Sequence, residues 1–231
     1  MKKYTHLFFD LDHTLWDYDQ NSADTLKQLY KKYQLAKITN FSLDELIRCF
    51  NEINEGLWVK FHLGEISKDE IRRSRFNLVF KLLGGYSFIF TDEFSEEYIR
   101  ECPTKGHLIP GALELLDYLS GNYELHIITN GFEDIQHIKL STTGLDHFFD
   151  QIFISGLVGY RKPEKEIFTH ALNITKALSS TSLMIGDSLE SDIVGAKSVP
   201  MDQVYFNPKR TAHNEKVTHE IQKLLQLKSF L

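Results

Sequence analysis

Two acids stand close together in "FFDLDHTLWD" (8–17), directly after the first apolar run: Asp10 and Asp12. A buried strand avoids charge, so its end has a use for both. One Asp carboxylate can attack phosphorus and become an aspartyl-phosphate. A second carboxyl beside it can protonate the leaving alcohol and then activate water. Three further stretches carry matching chemistry. Thr129-Asn130-Gly131 offers a hydroxyl and a turn with exposed N–H groups. Lys162, in "GYRKP", offers a positive charge at what reads as a helix start, where the helix dipole opposes it. Gly186-Asp187-Ser188, with Asp192 close behind, offers more carboxylates. Carboxylates mixed with Thr, Asn, Lys and backbone N–H groups suit a hard cation and an anion held together. Mg²⁺ takes one or two carboxylates plus waters and phosphate oxygens, and Asp10 and Asp187 supply carboxylates. Each stretch alone has a blander reading. The two acids could cap a helix, Asn-Gly is a common turn, Lys162 could pair in solvent beside Arg161, and Asp187 and Asp192 could serve a helix start.

What joins the stretches is their place. Five short apolar runs, "THLFFDL" (5–11), "YELHIIT" (123–129), "QIFIS" (151–155), "SLMIG" (182–186) and "QVYFN" (203–207), have the length of strands. Continuous apolar runs of this kind suit parallel strands covered on both faces. Helical patterns alternate with them at 111–121, at 132–144 with Gly144 as stop, at 163–175 with Pro163 as first helical residue, and at 217–228. The alternation predicts an α/β fold, a doubly wound parallel sheet of the Rossmann-like kind. In such sheets ligands bind beyond the carboxyl ends of the strands, where all four stretches fall.

About ninety residues between the first strand and Pro110 break the alternation and read as helices. The segments are 20–35, 42–61, 67–85 and 91–102. Ser42 with Glu45 forms a capping box, and Thr91 is the expected cap of the last. The expected organisation is therefore a catalytic core of residues 1–16 and 109–231, with an all-helical insert at 17–108 and a hinge near "PTKGHLIPG" (103–111).

Composition narrows the function. Of 231 residues, 42% are hydrophobic and 25% charged, with a net charge of −6, and no basic block marks a nucleic-acid surface. No run approaches the roughly 20 apolar residues of a membrane span, and the N-terminal run is too short for a signal peptide. Cys49 and Cys102 form no metal motif and fit a reducing compartment. The expectation is a cytoplasmic protein without nucleic-acid or membrane partners, a monomer or weak homodimer.

Asp10-Leu-Asp12-His-Thr14, Thr129-Asn130-Gly131, Lys162-Pro163 and Gly186-Asp187 through Asp192 resemble, in order, the four motifs of the haloacid dehalogenase-like (HAD) hydrolase superfamily. The helical insert resembles that superfamily's C1 cap. The resemblance implies a mobile cap and roles for single residues. Asp10 is the implied nucleophile and a Mg²⁺ ligand. Asp12 is the acid/base and lends its backbone carbonyl to the metal. Thr14 supports the loop. Thr129, with the backbone of Asn130 and Gly131, holds the phosphoryl group. Lys162 neutralises charge on Asp10 and the phosphate. Asp187 binds Mg²⁺, for which Mn²⁺ is a substitute, Asp192 anchors the metal's water shell or Lys162, and Ser188 supports the site.

Segments 57–76, 129–155 and 206–227 further resemble the YjjG-like branch, whose members include pyrimidine 5′-nucleotidases. "ISGLVGYRKP" departs from that pattern, which has an acid soon after the Ser. The implied activity is hydrolysis of a small phosphate ester, a nucleoside 5′-monophosphate with pyrimidine preference. Trp58, Phe61, Arg75 and Phe76 are the insert residues that would read the base, against a plain packing role. The rivals are a sugar-phosphate or phosphoglycolate phosphatase, a mutase, a dehalogenase, which has no need of Asp12, and a catalytically inactive binding module.

Overall fold

His6–Phe9 forms β1, and all four residues are buried, as a strand flanked and covered on every side requires. In the computed structural model, which describes residues 3–85 and 90–231, β1 pairs in parallel with β2 (Glu124–Thr129) on one side and β4 (Ser182–Gly186) on the other. β3 (Gln151–Ile154) extends the sheet beyond β2. β5 (Asp202–Phe206) and β6 (His219–Ile221) extend it beyond β4. The order is β3-β2-β1-β4-β5-β6, parallel throughout. The chain builds outward from β1 first one way and then the other. The switch point therefore lies between β1 and β4, where the carboxyl ends open a crevice.

The residues divide into two compact units, Met1–Tyr18 with Gly106–Leu231, and Asp19–Lys105. The second unit is helical: α1 (Tyr18–Lys32, starting at the boundary), α2 (Leu35–Ile38), α3 (Leu43–His62), α4 (Lys68–Leu82) and α5 (Thr91–Glu101). Capping boxes at Ser42/Glu45 and Ser67/Glu70 start α3 and α4. The expected helix over 20–35 ends at Lys32, because Gln34 takes a left-handed φ of 50°. Thr91 is not the cap of α5. The Phe94 N–H already donates to the Phe90 carbonyl, so the helix begins one residue earlier than a Thr91 cap allows.

In the sheet unit, α6 (Ala112–Ser120), α7 (Glu133–Thr143), α8 (Ser155–Val158) and α9 (Lys165–Thr175) lie between strands, and a wide π-type turn, Leu189–Val194, runs into α10 (Gly195–Lys197). One core packs Phe8, Ile128, Phe153 and Met184 of the sheet against Ile167 and Phe168 of α9 and Met201. Each such fully buried side chain contributes about 1.5–3 kcal/mol. The loops at the strand ends thus rest on a rigid platform.

Two expectations fail here. Pro163 is not the first residue of its helix. The backbone N–H and carbonyl of Lys162 are both held by the Asn130 side chain, which keeps residues 162–163 in the loop, and α9 starts at Lys165. Nor is 217–228 an α-helix. His219–Ile221 pairs with the open edge of β5, and a 3₁₀ turn follows at Leu224–Ser229. Ile221, Leu224 and Leu227 are the buried residues, and their spacing of three is the 3₁₀ period. Among the described residues no helix is long and apolar enough to cross a membrane.

Candidate active site

The first loop turns sharply after β1. The Asp10 N–H donates to the Ile185 carbonyl of the neighbouring strand, and those of Leu15 and Trp16 both donate to Leu11. His13 takes a φ of 62° to close the turn. Trp16 is fully buried and pairs its backbone with Asp12 and Leu108, bracing the start of the insert. Thr14, also fully buried, donates its hydroxyl to Asp187 Oδ1 at 3.2 Å. That bond ties the loop after β1 to the loop after β4 across the switch point.

Lys162 occupies the centre. It is 2% exposed, and its ammonium donates to Asp10 Oδ1 and to Asp192 Oδ1, each at 2.6 Å. Asn130 sets this loop in place by donating to the Lys162 carbonyl and accepting from its N–H, both at 2.9 Å. Asp192 comes back to the site because the π-type turn widens the start of its helix. Its Oδ2 accepts the Ser188 N–H, and the Ser188 hydroxyl accepts the Ser191 N–H. Gly186 is required for this approach, since a Cβ there would stand 2.2 Å from Asp192 Oδ2.

Charge is unevenly matched. Asp10, Asp187 and Asp192 bring carboxylate oxygens within 4.8 Å of one another, against one ammonium. Burial pushes the Asp10 carboxyl up to about 7, with Lys162 pulling down and Asp192 pushing up. Burial, then Asp10 and Asp192, hold Asp187 well above the usual carboxylate range. Burial alone would lower Lys162, but its two acids outweigh burial and hold it above the ordinary lysine value. Hard oxygen donors carrying more negative charge than their lysine cancels fit a divalent cation. Asp10 and Asp187 are the members that would hold it, because both oxygens of Asp192 are already committed, to Lys162 and to the Ser188 N–H.

Asp12 points to a different cation. Lys139 of α7 donates to its Oδ1 at 2.6 Å and Oδ2 at 2.9 Å. Gln136, one turn earlier, donates to Asp12 Oδ2 and to Thr129 Oγ1, both at 3.2 Å. Burial would raise the Asp12 carboxyl, but Lys139, helped by Gln136, outweighs it and holds Asp12 below the ordinary value. Thr129 Oγ1 also accepts the Gly131 N–H at 3.0 Å. With two donors already on it, the hydroxyl keeps its own hydrogen to donate.

The loops after β1, β2, β3 and β4 thus bring together Asp10, Asp12, Thr14, Thr129, Asn130, Gly131, Lys162, Asp187, Ser188 and Asp192. Sequence reasoning did not single out Lys139 or Gln136. In the helical unit Phe76 is buried against Phe50, Phe94 and Tyr98. Phe61 is buried too, edge-on to the half-buried Trp58. The buried Arg75 donates to Asn54 Oδ1 at 3.2 Å and lies over the Tyr98, Phe50 and Phe76 rings. These are the contacts of a helical core. Lys209 and Arg210 sit in an exposed turn after β5.

A second cluster, His6, Glu124 and His126, lies at the opposite, amino end of the sheet. His6 Nδ1 is 3.1 Å from His126 Nε2 and the ring centroids are 5.4 Å apart. That separation is the N···N distance plus roughly a ring radius at each end, so the nitrogens face each other along one line. The contact is a single hydrogen bond, not two lone pairs converging on an ion.

Residues 7–206 match the family model described as haloacid dehalogenase-like hydrolase. The chain is 33% identical to YfnB of Bacillus subtilis over 98% of its length and 95% of that protein's. The magnesium-bound crystal structure of YfnB, in which interdomain movement is described, superposes with a TM-score of 0.87 at 32% identity, over 99% of this chain and 98% of that one. The pyrimidine 5′-nucleotidase YjjG of Escherichia coli is 30% identical over 96% of this chain and 98% of its own. The pyrimidine 5′-nucleotidase PynA of Streptococcus pneumoniae is 33% identical over 89% and 84%. With the motif loops meeting at one sheet edge and these matches spanning the sheet and the insert, the chain belongs to the haloacid dehalogenase-like hydrolase family.

Proposed function

We propose that the protein is a phosphatase that hydrolyses nucleoside 5′-monophosphates, with pyrimidine bases preferred, through an aspartyl-phosphate on Asp10. The observation that carries this reading is the split of the two acids between two lysines. Asp10 has one oxygen on Lys162 and the other available to attack. Asp12, two residues on, is held apart by Lys139. Lys139 and Gln136 hold Asp12 ionised in the free protein, so it first takes up a proton from solvent as the ester binds. The Asp10 oxygen then bonds to phosphorus as the ester P–O bond breaks, and Asp12 gives that proton to the departing sugar oxygen. In the second half Asp12 takes a proton from the water that attacks phosphorus, which frees inorganic phosphate and Asp10. Lys162 and the Thr129 hydroxyl would hold the phosphate oxygens, and Lys162 offsets charge on Asp10 throughout. Mg²⁺, with Mn²⁺ as substitute, is the cation assigned to Asp10, Asp187 and the Asp12 carbonyl, and when bound it supplies neutralisation of the phosphate charge.

The pyrimidine preference draws on the near full-length likeness to YjjG and PynA. Phosphate release with Mg²⁺ over dUMP, dTMP, UMP, AMP, GMP, phosphoglycolate and hexose phosphates tests it, with Asp10→Asn as the blank. Fastest turnover of the pyrimidine monophosphates is expected. Faster turnover of sugar phosphates discards the nucleotidase assignment and keeps the chemistry, while silence on every ester, with and without EDTA, discards both.

A further inference from the structure

Lys139 is a lysine in the middle of a helix, yet it is 3% exposed. Burying an ammonium is costly unless a partner compensates it, and here the partner is the Asp12 carboxylate, gripped on both oxygens. The ammonium also lies 4.5 Å above the centre of the Trp16 ring, which gives it a second favourable surface. Gln136 sits three residues earlier on the same helix face and is fully buried. Its amide reaches Asp12 on one side and Thr129 on the other. Gly131 makes that reach possible, since a Cβ there would stand 1.2 Å from Gln136 Nε2. A buried lysine, a buried glutamine and a side-chain-free position thus converge on one carboxylate. A stabilising ion pair alone would need none of the link to Thr129.

We infer that Gln136 and Lys139 are positioning residues. Through α7 they hold the Asp12 carboxylate at the angle needed for proton transfer to the leaving oxygen, in register with the Thr129 hydroxyl. The inference rests on the reading of Asp12 as the acid/base. It concerns orientation: an Asp side chain at the end of a strand has free rotamers, and proton transfer needs heavy atoms within hydrogen-bond reach. Three hydrogen bonds from two donors, Lys139 and Gln136, remove that freedom.

The test compares two esters. Departure of a nucleoside from dUMP needs a proton, whereas departure of p-nitrophenolate from its phosphate does not. The value of kcat/KM reports the step in which the leaving group departs, and it is measured for wild type, Asp12→Asn, Lys139→Met, Lys139→Arg and Gln136→Met. Lys139→Met is expected to lower kcat/KM for dUMP about 10- to 100-fold, part of the 10²–10⁴-fold typical of general acid catalysis, with less than about a 3-fold change for the aryl ester. Asp12→Asn should show the same selectivity, more strongly. Lys139→Met added to Asp12→Asn should cost little more, since the two act as a unit. Lys139→Arg, which keeps charge and two donors, should recover most of the loss. Gln136→Met should show the same selectivity at about 3- to 10-fold, and it carries the test if Lys139→Met fails to fold. Equal losses on both esters, no loss on dUMP, or a gain would overturn the positioning role. If Asp12→Asn itself loses both esters equally, the acid/base assignment falls and takes the positioning role with it. If Asp12→Asn is selective and the α7 variants are not, only the positioning role falls.

Discussion

Two lysine–aspartate contacts share one sheet edge and nearly the same geometry, and they do opposite things. Lys162 meets Asp10 at 2.6 Å and Lys139 meets Asp12 at 2.6 Å, and both lysines are buried. Yet the Asp10 carboxyl is pushed up to about 7, while Asp12 is held below its ordinary value. The difference is the count of charges. Around Lys162 stand Asp10 and Asp192, with Asp187 beside them. Around Lys139 stands Asp12, with a tryptophan face and a glutamine amide. A buried ion pair is stable only where each charge is fully matched. The Lys162 side is under-compensated and ready for an added dication. The Lys139 side is balanced and serves geometry.

The largest effect expected from breaking this contrast is at Asp10. Asp10→Asn keeps the shape and the contact with Lys162 but removes the nucleophile, so turnover should fall by about four orders of magnitude or more. Phosphate release under saturating dUMP measures it, and substantial residual turnover in pure variant would refute the nucleophile assignment. Lys162→Met comes next. It leaves three crowded carboxylates without a cation, so without a divalent ion the protein should lose about 3–5 kcal/mol of stability, the usual result of removing one partner of a buried pair. Lys139→Met leaves one carboxylate, part-exposed, and should lose less. Urea melts of both variants in EDTA give the ranking, and equal losses would mean that the charge counts around the two lysines do not matter.

The Lys162 side could be read from the sequence, because its residues sit at the ends of apolar runs in short polar stretches. The Lys139 side could not. In α7 the apolar Ile138 is 40% exposed, while Gln136 and Lys139 are buried with Leu140. The helix turns polar residues inward, so an apolar-stripe reading assigns the wrong face. Gly131 leaves room for Gln136 in that inversion, and the helix's own pattern carries no sign of it. β6 escaped for a similar reason. His219–Ile221 has no strong strand pattern of its own, and its extended form is set by the open edge of β5, a partner more than ten residues away in sequence. Pro163 is an ordinary helix starter by local rules, overruled by an asparagine that grips the preceding Lys162 from 32 residues earlier in the chain.

A smaller and more diagnostic effect is expected at Asp187. Burial and two neighbouring acids disfavour its charge. Asp187→Asn removes one of three acids while an amide can still accept from Thr14. Without a divalent ion the variant should therefore melt higher than wild type, by about 3 °C, which for a chain of this size is on the order of 1 kcal/mol. Wild type should melt higher with Mg²⁺ than in EDTA, and in Asp187→Asn that rise should disappear. Calorimetry with EDTA and with Mg²⁺ shows both. An Asp187→Asn protein that melts lower than wild type in EDTA would show that the acid is compensated by contacts other than the cation.

The gentlest probe is pH, because it separates the two sides without a mutation. Asp10 has a folded value near 7 against an ordinary 3.8, so the folded state holds a proton that the unfolded chain has released. Its contribution to stability is full below the ordinary carboxylate value and is lost as pH rises through about 7. Asp187, also raised, acts in the same sense. Asp12, lowered, contributes above the ordinary value and loses that only as pH falls through its folded value. Between pH 5.5 and 8 Asp12 is therefore silent, while His126, held at about 4 by burial and then by His6, weakens the fold as pH falls through the ordinary histidine value. The difference in melting temperature between Mg²⁺ and EDTA cancels that histidine contribution. It should be large at pH 8 and shrink as pH is lowered to 5.5, because the proton then supplies the missing positive charge that the dication supplies at pH 8. A difference that stays constant or grows as pH falls would mean that Lys162 already balances its acids and that the contrast between the two lysines is one of position alone.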